Sequence, residues 1–281
     1  ELYDTKKNKI KWSNNWQKNW SELPSIKGGL SENILSNLQV TTKQDITKSE
    51  SENAEAYELY LKAKNIYEKR ENTDDTEIAQ GLLNKAIELD GNLISAKLLL
   101  GDSYRAISDI DKAMEIFNSA LIKAEELGNK LWIGNSMRNI GNGFYSKGET
   151  DSALDYWEKA LSISEEIGDK RGIGATLGNI GIVHDNKGDE DKALDYYGRA
   201  LIIAEELGNK RGMAATLMNI GIAYDDKGEY DRALDYYGRS LAIAKELGNK
   251  SGMAYTINNI GALHMRIGDN DTALDYHGRA L

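Results

Sequence analysis

The sequence predicts an all-α chain, a solenoid of stacked antiparallel helix pairs. Three observations carry this: a forty-residue self-similarity from Gly128 to Leu281, two helical patterns in each copy, and a glycine wherever a helix must stop. The copies open GNKLWIGNSMRNIG, GDKRGIGATLGNIG, GNKRGMAATLMNIG and GNKSGMAYTINNIG. Gly141, Gly181, Gly221 and Gly261 share one column, Ala153, Ala193, Ala233 and Ala273 a second, and Leu161, Leu201, Leu241 and Leu281 a third. Units of this length bury their apolar faces on one another rather than around one centre.

In the third copy, Lys210 to Lys227 reads as the first helix and Asp231 to Leu247 as the second, with breaks at Gly228 and at Gly248-Asn249. Leu217, Ile220, Gly221 and Tyr224 share one side of the first helix, and Ala233, Tyr237, Ser240 and Leu241 form the matching stripe on the second. Gly221, in mid-helix, costs about 1 kcal/mol relative to alanine, which makes sense if the partner helix approaches closely there. Gly198, Gly238 and Gly278 lie off the apolar stripe of the second helix, and the only role the sequence offers them is close contact with an adjacent unit.

The pattern of Ile220, Gly221, Tyr224, Ala233, Tyr237 and Ser240 resembles the tetratricopeptide repeat. The forty-residue form, with NIG before the turn and ALDYYGRAL after it, is similar to repeats of the kinesin light chain type. The resemblance implies a right-handed superhelix over 54–281, with pairs at 54–92, 93–127, 128–167, 168–207, 208–247 and 248–281. His184 and His264 replace the aromatic of the first helix, His277 replaces that of the second, and the usual proline after the second helix is missing.

Acidic residues outnumber basic ones 45 to 35, a formal charge of −10. A nucleic-acid surface needs a basic stripe to displace counterions, so no nucleic-acid partner is expected. No apolar run approaches the roughly 18 residues of a membrane span, and no signal peptide opens the chain. With no cysteine, disulfides and thiolate metal sites are ruled out, and a cytoplasmic setting is expected. The chain starts on Glu1 rather than Met and stops within a helical pattern, so a piece of a longer protein is expected.

Residues 1–20 read as a short hairpin, with Ile10, Trp12 and Trp16 at alternating positions. After Pro24, Leu30, Ile34, Leu35 and Leu38 fall at helical spacing. The DTKKNKIKW hairpin, the helix ending LSNLQV and the following ENAEAYELYLKAK resemble the close of a TolB-like α/β domain. Such domains precede tetratricopeptide repeats in bacterial adenylate or guanylate cyclase proteins. That resemblance implies a domain remnant at 1–40, a linker at 41–53 and the repeat array from residue 54. The array begins with one irregular helix pair, Ala54–Lys69 and Thr76–Leu89, joined by a long ENTDDT loop, and a second pair, Leu93–Ala106 and Ile110–Leu127, restores the repeat pattern.

A ligand is expected on the side of each first helix that faces away from the second. Ala215, Met218, Asn219, Ile222, Asp225 and Asp226 lie within about 60° of Ile222 there. One place in this stripe is always asparagine: Asn139, Asn179, Asn219 and Asn259. An amide both donates and accepts, so such a ladder suits a peptide backbone, and equally suits bonds to a neighbouring helix that fix the stacking. Asn in this column contacts peptide backbone in several tetratricopeptide families, which the resemblance extends to this chain. Around the ladder stand Asn135, Arg138, Asn142 and Tyr145, then Ile182 and Asp185, and finally Tyr255, Met265 and Arg266.

Apolar patches with an acidic rim favour a protein or peptide partner with Lys or Arg and apolar side chains. The inner Lys and Arg of a carboxylate clamp are mostly missing. No metal site is expected: His184 and His264 are two units apart and belong to the core. No nucleophile motif or phosphate loop occurs, so no catalytic residue and no cofactor are expected in this segment. The leading expectation is a peptide-binding scaffold in a larger signalling protein. The alternatives are a spacer or self-association element, and the regulatory region of a nucleotide cyclase.

Overall fold

A computed structural model describes residues 2–4, 9–12, 51, 53–70 and 72–280. The chain divides into two compact units, Glu1–Leu127 and Gly128–Leu281.

In the first unit, β1 (Leu2–Asp4) pairs antiparallel with β2 (Lys9–Trp12), Tyr3 facing Ile10 and Asp4 facing Lys9. Trp16, the helical spacing of 30–38 and nearly all of the 41–53 linker lie outside the described residues. Four helices follow: α1 (Ala54–Lys69), α2 (Thr73–Leu89), α3 (Ile94–Ala106) and α4 (Ile110–Glu126). Helix α2 starts three residues before the apolar pattern suggests, because the Asn72 side chain accepts the Asp75 N–H and Asp74 and Asp75 occupy the positive end of the helix. The long loop expected there is therefore a short one. Tyr57, Leu83, Leu93 and Leu100 centre the core of these pairs, and Gly101 sits under the Phe117 ring.

The second unit holds α5 (Lys130–Ser146), α6 (Thr150–Ile167), α7 (Lys170–Asn186), α8 (Glu190–Glu206), α9 (Lys210–Asp226), α10 (Tyr230–Glu246), α11 (Lys250–Arg266) and α12 (Asn270–Ala280). Each turn within a pair carries a left-handed glycine; at Gly228, φ is 75° and the N–H donates to the Asp225 carbonyl at 2.9 Å. Ser108 holds the same place between α3 and α4 at φ 65°. A side chain there costs roughly 1 kcal/mol that glycine avoids.

Each hydrophobic cluster takes residues from the second helix of one pair and the first helix of the next. Ala153 and Trp157 of α6 pack with Ile180 and Val183 of α7, and Ala193 and Tyr197 of α8 with Ile220 and Ala223 of α9. A repeat thus completes its core only through its neighbour, the property that makes a solenoid. A Cβ at Gly221 would meet the Tyr237 ring at 2.6 Å, so the aromatic lies directly on the helix backbone, as it does at Gly181 and Gly141. Gly198 and Gly238 show the opposite: a Cβ at either meets nothing within 4 Å, which corrects the expectation of a close contact there.

His184 stacks on Tyr196 with ring centroids 5.4 Å apart and His264 on Tyr276 at 5.6 Å, the places that Phe144 on Tyr156 and Tyr224 on Tyr236 fill in the other repeats. The His277 side chain lies outside the described residues. Lys130–Glu166, Lys170–Glu206 and Lys210–Glu246 tie the start of each first helix to the end of its second. Among the described residues no helix is long and apolar enough to cross a membrane.

Candidate functional site

Successive first helices of the second unit touch one another from α5 through α7 and α9 to α11, while successive second helices make no comparable contact among the described residues. The first helices therefore form the crowded inner row, and the stripe turned away from the second helices lines it.

At the start of this stripe the amides engage one another. Trp157 Nε1 donates to Asn142 Oδ1 at 3.1 Å and to the Arg138 carbonyl at 3.1 Å. Asn142 Nδ2 donates to Asn139 Oδ1 at 3.4 Å, and Asn179 Nδ2 crosses from the next repeat to Asn142 Oδ1 at 2.8 Å. Asn139 is buried, and Asn142, Asn179 and Arg138 are half-buried. The bond from Asn179 to Asn142 links adjacent repeats, whereas that from Asn142 to Asn139 stays within α5. Tyr145 stands over Trp157, ring centroids 5.7 Å apart, and its hydroxyl accepts from Asn186 Nδ2 at 2.7 Å.

Further along, the amides give way to carboxylates. Tyr197 donates its hydroxyl to Asp185 Oδ2 at 3.3 Å, while Asp185 Oδ1 is buried without a hydrogen bond. Burial pushes the Asp185 carboxyl up to about 6, with help from the negative charge of Asp226 one repeat on, and the Tyr197 bond opposes the rise. Asp225 is only 6% exposed, and burial raises its carboxyl too, against the pull of Arg266. Arg266 Nη1 lies 3.0 Å from Asp225 Oδ1 and 3.8 Å from Asp226 Oδ1. Burial and the neighbouring carboxylates raise the Tyr197 and Tyr237 hydroxyls, which therefore stay protonated.

Ile182, Met218 and Ile222 are half-buried against the core clusters, whereas Tyr255 is 54% and Met265 57% exposed. Asn219 and Asn259 are half-buried, and Asn259 Nδ2 is buried without a partner. The inner row thus divides into an amide part closed on itself and a part with three carboxylates, one arginine and two exposed apolar side chains.

Sequence reasoning missed Trp157, Asn186, Tyr197 and Tyr237 as members of this face. A signal existed: the residue pair twelve apart changes together, Tyr145 with Trp157 but Asp185 with Tyr197 and Asp225 with Tyr237.

A tetratricopeptide repeat family model matches residues 92–166, 132–206 and 172–246. No curated protein sequence matches the chain significantly. Among solved structures, BtubC (BKLC) from P. vanneervenii is similar at TM-score 0.60 and 23% identity, over 74% of this chain and 87% of that one. A Rap protein complexed with Competence and Sporulation Factor is similar at TM-score 0.64 and 14% identity, over 92% of this chain and 80% of that one. A signal transduction ATPase with numerous domains from Pyrococcus horikoshii, which carries a tetratricopeptide repeat sensor, gives TM-score 0.61 and 18% identity, over 88% of this chain and 36% of its own.

Proposed function

The chain belongs to the tetratricopeptide repeat family, and from that premise we propose that its second unit captures an extended segment of a partner protein along the inner row. One observation carries the reading: Asp185, Asp225 and Asp226 crowd together with Arg266 as the cation in ion-pair contact, beside exposed Tyr255 and Met265. Such a face suits a partner with a lysine or arginine set next to apolar side chains. Asn219 and Asn259 supply the amide contacts to its backbone, while Asn139, Asn142 and Asn179 hold the frame. Among the similar folds, one was solved with Competence and Sporulation Factor and another carries a repeat sensor, which agrees with a scaffolding or regulatory role in signalling.

Labelled twelve-residue peptides alternating Lys with Leu, and Glu with Leu, test this by fluorescence polarisation. The basic set binds and the acidic set does not, and Asp226→Asn combined with Tyr255→Ala weakens binding at least fivefold. Equal binding of both sets, or indifference to the double variant, overturns the reading.

The closed cluster around Asn142 favours a second reading, a rigid spacer or self-association element. Light scattering over a concentration series separates the two: a mass that rises with concentration while no peptide binds supports the second. The resemblance to a TolB-like domain and its cyclase setting rests on residues 1–40, of which the two strands are described, and on the ENAEAYELYLKAK stretch that follows.

A further inference from the structure

A second surface, on the turn edge of the stack and apart from the inner row, carries an inference of its own. Every second helix of the long repeats has an aspartate in its first turn: Asp151, Asp191, Asp231 and Asp271. In two steps of the stack a lysine from the turn of the following repeat reaches back to it. Lys187 Nζ lies 3.5 Å from Asp151 Oδ1, and Lys227 Nζ lies 2.5 Å from Asp191 Oδ1. At the third step the lysine column holds Ile267, and no cation of the described residues reaches Asp231.

A hollow of about 480 Å³ opens at that step, with Tyr230, Leu234 and Ile267 as its apolar lining. Tyr230 stands where the two preceding repeats have Thr150 and Glu190, so an apolar wall and the loss of the lysine arrive together. Three charged groups line the hollow, Glu229, Asp231 and Arg232. Arg232 Nη1 is paired with Glu229 Oε2 at 2.8 Å, which leaves the Asp231 carboxylate uncompensated. Arg266, which precedes Ile267 in the chain, is paired with Asp225. The site therefore presents an apolar path ending at one exposed negative charge, the shape and charge of the lysine side chain that the two earlier steps supply from within.

We propose that this hollow seats a lysine side chain of a partner protein, its alkyl stem along Ile267, Leu234 and Tyr230 and its ammonium at Asp231. An exposed single charge pair makes such a seat weak alone, so it acts as a register contact that adds to another attachment. A guanidinium is broader and flatter, and an uncharged stem leaves Asp231 as it was, so lysine is preferred over both.

The test is an amide-resolved NMR titration of the full chain with Nα-acetyl-lysine amide, with the norleucine and arginine amides as controls. The lysine amide is expected to shift the signals of residues 228–234 and 267 saturably, at least threefold more strongly than either control. Asp231→Asn abolishes the response. Ile267→Lys also abolishes it, because the chain then fills the seat itself, and this variant melts at a higher temperature. Equal shifts from the norleucine or arginine amide, or an undiminished response in Asp231→Asn or Ile267→Lys, overturn the proposal. Binding of the Lys-Leu peptides to the inner row is unaffected by Ile267→Lys, so failure of either reading is distinguishable from failure of the other.

Discussion

Arg266 of the last repeat and Asp225 of the one before it meet at 3.0 Å, the arginine half-exposed and the aspartate almost wholly buried. The pair is the charged joint between α9 and α11. Removing the arginine strands a buried carboxylate, whose cost exceeds that of a lost surface contact. Arg266→Gln is expected to destabilise the second unit by about 1–2 kcal/mol, reduced from a fully buried pair by the exposure of the guanidinium. Urea unfolding measures it, and adding Asp225→Asn to the variant recovers most of the loss.

Asp185 makes stability depend on pH. Its folded carboxyl titrates near 6, above the ordinary 3.8, so between those values the folded state holds more protons than the unfolded one. Stability is then fully present below about 4 and falls as pH rises through 6. Partial solvent screening limits the change to roughly 1 kcal/mol. Asp185→Asn removes this slope, read as the difference in melting temperature between pH 4.5 and pH 7.

Four glycine-related positions separate backbone freedom from packing. Gly198→Ala and Gly238→Ala meet open space and are expected to stabilise by about 0.5–1 kcal/mol each, by helix propensity alone. Gly221→Ala drives a methyl into the Tyr237 ring and is expected to destabilise by about 1–3 kcal/mol. Ser108→Gly relieves the left-handed turn of the first unit by roughly 1 kcal/mol. Thermal denaturation of the four variants gives the pattern of signs.

On the proposed reading Asn142, which lies beside the asparagine column, holds the frame and Asn219, within the column, faces the ligand. Asn142→Ala strips Trp157 Nε1 and Asn179 Nδ2 of a shared acceptor and is expected to cost about 1–3 kcal/mol. Asn219→Ala changes stability by less than about 0.5 kcal/mol but weakens capture of the Lys-Leu peptides severalfold. Denaturant unfolding and polarisation, run on both variants, separate the two roles.

The helix pairs were legible because the repeat states the same pattern four times, and because Gly221 and Tyr237 encode one packing contact in two columns. The start of α2 was not, since an Asn72 cap and two acidic residues extend a helix past its apolar pattern. The inner stripe could be read as a face from helical geometry, but not the fate of its amides. Whether Asn179 points to solvent or to Asn142 depends on a side-chain hydrogen bond across repeats, which no periodicity records. The carboxylate cluster was equally hidden, because Asp185 and Asp226 become neighbours only when the stack closes.

The clusters that join each second helix to the next first helix reach no further than adjacent repeats. No strand must wait for a distant sequence partner in the second unit, so its contact order is low and its folding is expected to be fast. During synthesis, each pair can lock as soon as one more has left the ribosome. The growing chain therefore never carries more than about one repeat of uncovered apolar surface, which protects it from aggregation before it is finished.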